Sequence, residues 1–373
     1  MLVRKRRTKV SLDLSATPVY NGDMTATTRR IPGRGRGDPL LEPGKLPPEI
    51  LASMLKGRTG AFDPRLRLGP RIGEDVGVVE NGDQCLVFKT DPVTFASDRI
   101  GWYAVHVNAN DVATSGARPR WFQACILLPP GRTRRSDAEA VFEQIHKACL
   151  SLDVAIVGGH TEVTHGLEQA VVVGSMIGEV ETRRLVTTGG AREGDRLLLT
   201  KGIVIEGAAI LARERYAQLR RMGMAAAILD RAAAYLDEPG ISVVPEARIA
   251  AAMGATSMHD PTEGGLRAGI MEMALASGLG VRVDRRRIPL LEESRLLCQA
   301  LGLDPLGTIT SGSLLAAAGA AAAACICSAL NKAGILCTDI GEFLKAGGPH
   351  ELVDADGCHS LTYSTRDEIT RIF

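Results

Sequence analysis

The chain has no Gly-x-x-x-x-Gly-Lys-Ser/Thr sequence and no Gly-x-Gly-x-x-Gly after a strand, so neither a P-loop nor a dinucleotide fingerprint accounts for it. Its eight cysteines (Cys85, Cys125, Cys149, Cys298, Cys325, Cys327, Cys337 and Cys358) include no Cys-x-x-Cys pair. No apolar leader opens the sequence, so a secretory signal is not expected and the thiols read as reduced, in a cytoplasmic protein. Cys325 and Cys327, two apart on an expected helix, diverge and read as packing residues. His160 and His165 lack Cys/His partners at zinc spacing. No short-period repeat is present, which excludes a solenoid. The uncharged run Ser313 to Leu330 is mostly alanine, contains Gly319, and reads as a buried strand over 313–317 entering an Ala-rich helix, not as a membrane span.

What remains is the composition of a soluble globular protein. In 373 residues, 45% are apolar and 23% charged, a length that suggests two domains. The formal charge of +1 is unevenly spread: residues 1–40 carry nine Lys/Arg against Asp13, Asp23 and Asp38, so that segment is +6 and the rest −5. Such a stretch, basic and without apolar periodicity, is expected to be a disordered extension and a solvated tail, not a nucleic-acid arm.

From Lys45 onward, strand and helix patterns alternate. Pro47-Pro48 can start a helix through Lys56. Strands are expected over 75–79 and 85–90 around the turn Asn81-Gly82-Asp83, then a helix over 99–115 and a strand over 121–128. A helix over 136–152 would be capped by Ser136 with Glu139 three residues on, and a strand follows over 170–178. The Gly-rich, polar stretch 187–195 reads as the boundary between a first domain over 41–186 and a second over 187–373. Helices near 205–215, 225–236, 246–253 and 263–277 follow, with strands from Ile335 onward.

Two glycine pairs stand out. Gly158-Gly159-His160-Thr161-Glu162 follows the apolar run Val154 to Val157, and His259-Asp260-Pro261-Thr262-Glu263-Gly264-Gly265-Leu266 opens a helical pattern. Paired glycines beside acidic and hydroxyl residues let backbone N–H groups approach phosphate oxygens, and Thr262 can cap the helix. Asp75, Asp91 and Asp111 are each isolated carboxylates in polar or strand-end settings. Asn108 and Asp111 share one helix face and His106 and Asn110 the next, between Val105, Val107 and Val112, an unusual content for a core. Clustered carboxylates suit Mg²⁺, a hard cation that bridges phosphates.

At these residues the chain resembles the aminoimidazole ribonucleotide (AIR) synthase superfamily, which includes the hydrogenase maturation factor HypE, selenophosphate synthetase and thiamine monophosphate kinase. The likeness is to the HypE-like members, through Gly44-Lys45-Leu46-Pro47, Thr90-Asp91-Pro92, Asn108 to Pro119, Gly158 to Glu162 and Asp260 to Leu266. The resemblance implies an α/β (α+β) protein of the PurM-like, two-domain type. Its N-terminal sheet would pair with that of a second subunit, giving a homodimer, and ATP and Mg²⁺ would lie between the domains and across the dimer. It implies Asp75, Asp91 and Asp111 at the metal and phosphates, supported by Asn108. It likewise places Gly158, Gly159, Thr161 and Glu162 in a nucleotide loop, and Asp260, Thr262, Gly264 and Gly265 at the nucleotide from the second domain. Lys45, and less directly Lys201, would offer charge to phosphate.

The activity implied is ATP-dependent phosphorylation of an amide- or carbamoyl-type oxygen on a small-molecule or protein-thiol-linked acceptor. The chain ends Thr370-Arg371-Ile372-Phe373 where HypE ends in a cysteine that carries the carbamoyl group, so carbamoyl dehydration itself is not expected. Its first cysteine, Cys85, also stands too far along for the N-terminal Cys of selenophosphate synthetase. A small-molecule kinase and a nucleotide-sensing protein without turnover are the alternatives, because all three need one phosphate site.

Overall fold

Among the described residues, thirteen strands form two sheets, and these with their helices and connections set the position of the candidate site residues. The computed structural model describes residues 40–41, 44–93, 98–363 and 366–373. The basic extension expected over 1–40 lies, but for Leu40, outside the described residues.

The first sheet contains β1 (Leu66–Leu68), β2 (Gly77–Asn81), β3 (Gln84–Val93), β4 (Arg118–Leu128), β5 (Ala155–Val163) and β6 (Val171–Glu181), in the order β1-β2-β3-β6-β4-β5. The β2–β3 hairpin turns at Gly82, whose φ of +70° is the left-handed conformation that favours glycine. Helix α1 (Pro48–Leu55) precedes the sheet, and α2 (Ile100–Thr114) and α3 (Arg135–Ser151) pack together beside it. Alternation explains the strands: along β6, every second residue from Val172 to Val180 is buried and those between are half-exposed.

The second sheet holds β7 (Arg196–Thr200), β8 (Ser257–His259), β9 (Leu279–Asp284), β10 (Leu315–Ala318), β11 (Cys337–Ala346), β12 (His350–Asp354) and β13 (Gly357–Ser360). Their order is β13-β12-β9-β11-β7-β10-β8. Among the described residues the helices that accompany them are α4 (Ile205–Glu214), α5 (Tyr216–Arg221), α6 (Ala226–Ala233), α7 (Val244–Ala252), α8 (Gly265–Ser277), α9 (Glu292–Leu301) and α10 (Ala320–Lys332). The alanine-rich run becomes β10 and α10, and no described helix is long and apolar enough to cross a membrane.

Residues 43–373 form one compact unit, and α2 is its hinge-pin. Ala104, Val105 and Val112 belong to the core under the first sheet, whereas Tyr103 belongs to the core under the second. Asn110 is buried because its amide pairs with backbone across that junction. Its Nδ2 donates to Ile241 O at 2.8 Å and its Oδ1 accepts from Val243 N at 2.8 Å. His106 has no such role: its ring lies tilted against Trp102, centroids 4.3 Å apart, with neither ring nitrogen partnered, and burial holds it down at about 3, hence neutral.

Some local expectations differ from what forms. The helix expected to start at Ser136 begins one residue earlier, capped when the Asp137 carboxylate accepts the Arg134 N–H at 2.7 Å. Gly158 to Glu162 is not a loop after a strand but the body of β5, running parallel to β4. A Cβ on Gly159 would lie 2.5 Å from Ala124 O, so glycine there serves the close approach of two strands. Cys325 is exposed, not packed, while Cys327 Sγ lies 2.9 Å from Cys337 Sγ.

Candidate functional site

Three carboxylates from distant parts of the chain converge beside a cleft of about 290 Å³ between the two sheets. Asp75 comes from the segment before β2, Asp111 from α2 and Asp260 from the residue after β8, and one oxygen of each lies within 4.8 Å of the others. Asp75 can reach this point because Gly73, at φ +80°, lies against α8, where a Cβ would come 2.9 Å from Glu272 O. Asp111 and Asp260 are buried, and neither oxygen of Asp260 meets full hydrogen-bond geometry, although the Asp111 carboxyl lies close enough to act on it. Burial, then the charge of Asp75, pushes Asp260 up to about 7; burial and Asp260 raise Asp111 well above the ordinary carboxylate range. A buried carboxylate without partners is costly, and a cation held by these residues would relieve all three.

Lysines face the cluster. Lys89 Nζ lies 3.1 Å from Asp91 and 3.2 Å from Asp111, the latter an ion pair without hydrogen-bond geometry. Burial alone would lower Lys89, but Asp111, Asp91 and Asp75 raise it, so it stays charged. Lys45 pairs with Glu272 at 3.3 Å and is likewise raised by Glu272 and Asp75 against the effect of burial.

Behind Asp75 runs a buried chain of polar groups. His259 Nδ1 stands 2.5 Å from Asp75 Oδ2 and His259 Nε2 2.9 Å from Glu272 Oε2, and Tyr363 donates to Glu272 Oε1 at 3.0 Å. Burial opposes charge on His259, but Asp75 and Glu272 outweigh it and raise the imidazole well above its ordinary value. A protonated ring thus donates to both carboxylates, which fixes the orientation of Asp75 and holds it ionised.

The residues singled out in the sequence do not all come together. Lys45, Asp75, Asp91, Asp111 and Thr262 line the cleft, and Asp260 completes the carboxylate cluster, where Asp91 instead faces Lys89. Asn108 does not face the cleft opening; its Oδ1 accepts the Asp91 N–H at 2.9 Å and its Nδ2 donates to Ala104 O at 2.8 Å, so it fixes the backbone of β3. Gly158, Gly159, Thr161 and Glu162 sit elsewhere, on exposed β5, where the first three line an apolar recess with Phe142 and Ile156.

Gly264 and Gly265 are already used. Gly264 N–H donates to Asp367 Oδ2 at 2.7 Å, and a Cβ on Gly265 would come 2.7 Å from Leu306 O and Thr308 O. The helix N-cap is Gly264, at φ +80°, and not Thr262. Lys201 is also committed, paired with Glu246 at 2.8 Å and donating to Gly240 O and Ser242 O, outside the cleft lining.

Sequence reasoning passed over Lys89, His259, Glu272 and Tyr363. Lys89 was within reach, because residues two apart on a strand share a face and Asp91 had been marked. Glu272, a charge between Met271 and Met273 in an otherwise apolar helix, was another signal. Tyr363 had none.

Family models match most of the chain: the AIR synthase related protein N-terminal domain over residues 73–180 and its C-terminal domain over 192–354. The carbamoyl dehydratase HypE of Cupriavidus necator is 32% identical over 262 residues, covering 69% of this chain and 71% of that protein. A hydrogenase expression/formation protein of Methanocaldococcus jannaschii is 27% identical over 280 residues, covering 74% and 80%. A crystal structure of the hydrogenase maturation protein HypE in complex with ATP superposes with a TM-score of 0.65 at 24% identity, over 81% of this chain and 90% of that one, a likeness of fold.

Proposed function

Because this chain belongs to the AIR synthase related family, we propose that its cleft binds ATP with Mg²⁺ and transfers the terminal phosphoryl group to an oxygen of a second substrate. The observation that carries this is the convergence of Asp75, Asp111 and Asp260, with neither Asp260 oxygen in full hydrogen-bond geometry, next to Lys45 and Lys89. An all-oxygen, anionic donor set suits a hard divalent cation, which would displace the protons that burial favours on Asp111 and Asp260. Asp75, Asp111 and Asp260 would hold the ion, which when bound neutralises phosphate charge.

The chain's own groups do the rest. Lys89, held between Asp91 and Asp111, supplies a fixed positive charge at the cleft wall, and Lys45 a second at its mouth. Asn108 fixes Asp91, and His259 fixes Asp75. Phosphoryl transfer requires little covalent help from protein, and positioning with charge neutralisation is what these residues offer.

The acceptor atom in this reading is an amide- or carbamoyl-type oxygen, which the relatives named carbamoyl dehydratase support, and the enzyme is assigned to the cytoplasm. Gly158 to Glu162 are not among the residues that line this cleft, and in this reading they serve a second copy's nucleotide across a homodimer. The test is calorimetry of ATP with and without Mg²⁺, followed by a screen for acceptor-stimulated ADP release. Equal affinity with and without the metal would remove the carboxylates from the site.

A further inference from the structure

The same cleft holds two more buried polar side chains that the phosphate chemistry leaves unused. Glu206, in the first turn of α4, and Ser311 line it, with 5% and 1% of their surface exposed. Glu206 Oε2 and Ser311 Oγ meet full hydrogen-bond geometry with no group, although the Ser311 hydroxyl and N–H lie close enough to favour the ionised form of the Glu206 carboxyl. Among charged groups, Asp367 and Glu263 press most on Glu206, and its own charge acts on the buried, unpartnered Tyr103 hydroxyl.

This corner is held rigidly. Glu206 N–H donates to Ser311 O at 3.3 Å and Gly207 N–H to Ile309 O at 3.2 Å, while Val204 N–H is taken by the Thr310 hydroxyl. A Cβ on Gly207 would lie 2.7 Å from Ile309 O, so only glycine lets the start of α4 lie so close to 309–311. Val204, β-branched, is held at φ +63°, a conformation that costs energy and persists only where its surroundings impose it. The packing therefore presents Glu206 to the cleft in one place.

We propose that Glu206 and Ser311 form the subsite that recognises a protonated amine or amidine group on the phosphoryl acceptor, a reading that rests on the cleft being a phosphoryl-transfer site. An ionised carboxyl only accepts hydrogen bonds, so its partner must carry N–H or O–H donors. Glu263 and Asp367 make the surroundings negative, which favours a cation and disfavours an acceptor that carries a carboxylate or phosphate there. Val107, Ile210 and Ile309 supply apolar walls for the body of the molecule. Burial pushes Glu206 up to about 7, so at neutral pH a cationic donor completes its ionisation on binding.

The test uses the full chain and ligand-observed NMR titrations with n-propylamine and acetamidine as probes and n-propanol and propionate as controls. Each is run with and without Mg²⁺ and a non-hydrolysable ATP analogue. The amines should bind at least fivefold more tightly than propanol, and propionate should not bind. Glu206→Gln should weaken both amines at least tenfold while Mg·ATP affinity stays within twofold; Ser311→Ala, a one-atom deletion, should weaken them less and keep the fold. Amines that bind Glu206→Gln as they bind the parent overturn the subsite. So does a tenfold loss of Mg·ATP affinity with unchanged amine binding, which would assign Glu206 to the nucleotide. Glu206-dependent amine binding in a protein that fails to bind Mg·ATP would keep the subsite and sink the phosphoryl-transfer reading instead.

Discussion

Asp111 Oδ2 lies 3.2 Å from Lys89 Nζ, inside the cleft and out of water. The pair does not cancel, because Asp260 and Asp75 crowd Asp111 from the other side. Asp111→Asn therefore removes one ligand and one repelling charge at once. Mg·ATP affinity should fall at least tenfold, while the melting temperature of the unliganded protein holds or rises. Calorimetry and a thermal melt check both halves; full affinity in this variant would make Asp111 a structural residue only.

His259 is the reverse case. Its protonated ring separates Asp75 from Glu272, and replacing it with leucine leaves two buried carboxylates short of a partner. Breaking a buried pair in this way costs roughly 3–5 kcal/mol. Denaturant unfolding of His259→Leu should show a loss of that order, and a loss under about 1 kcal/mol would mean that water or relaxation replaces the ring.

The carboxylates make stability depend on pH in a direction that can be stated beforehand. Asp260 titrates near 7 when folded against an ordinary value of 3.8, so between those values the folded state holds more protons than the unfolded one. Stability without metal should fall as pH rises from 4 to 7. His259, raised by its two carboxylates, contributes stability that persists below its ordinary 6.5 and is lost only as pH rises through its raised folded value. Mg²⁺ competes with the protons, so it should raise the melting temperature more at pH 8 than at pH 5.5. An equal rise at both values would separate the ion from Asp260 and Asp111.

Assembly offers a further check. Strand β5 hydrogen-bonds to β4 on one side, and Ile156, Val157 and Val163 are about half exposed on it. An open, apolar edge of this kind invites a second copy. Light scattering should give twice the chain mass, and Val157→Lys should return a monomer with weakened nucleotide binding. A monomeric parent protein would leave Gly158 to Glu162 without a nucleotide to serve.

What the sequence made legible was what depends on local pattern. The helix of α2, the β2–β3 hairpin and the alanine-rich β10–α10 turn all rest on periodicity or turn residues, and each formed close to its expected bounds. The run Val154 to Val157 read as a strand, but its continuation through Gly158 to Val163 was not legible because two glycines interrupt it, and their reason, the closeness of Ala124, lies on another strand. The same limit applies to the cleft. Asp75, Asp111 and Asp260 could be marked singly, but the His259 ring that joins one of them to Glu272 depends on β8, α8 and the segment before β2 arriving together.

The hold of Asp367 on Gly264 turns the end of the chain into a usable handle. One carboxylate receives the N–H groups of Gly264, Ile309 and Ile369, and a few residues on the Phe373 ring lies under Arg215, 4.2 Å from its guanidinium carbon. The start of α8, the strip beside Ser311 and the last residues are thereby tied by a single side chain. A fluorophore attached at the C terminus would sit at the far end of that tether, so its anisotropy should register filling of the cleft without any label inside it.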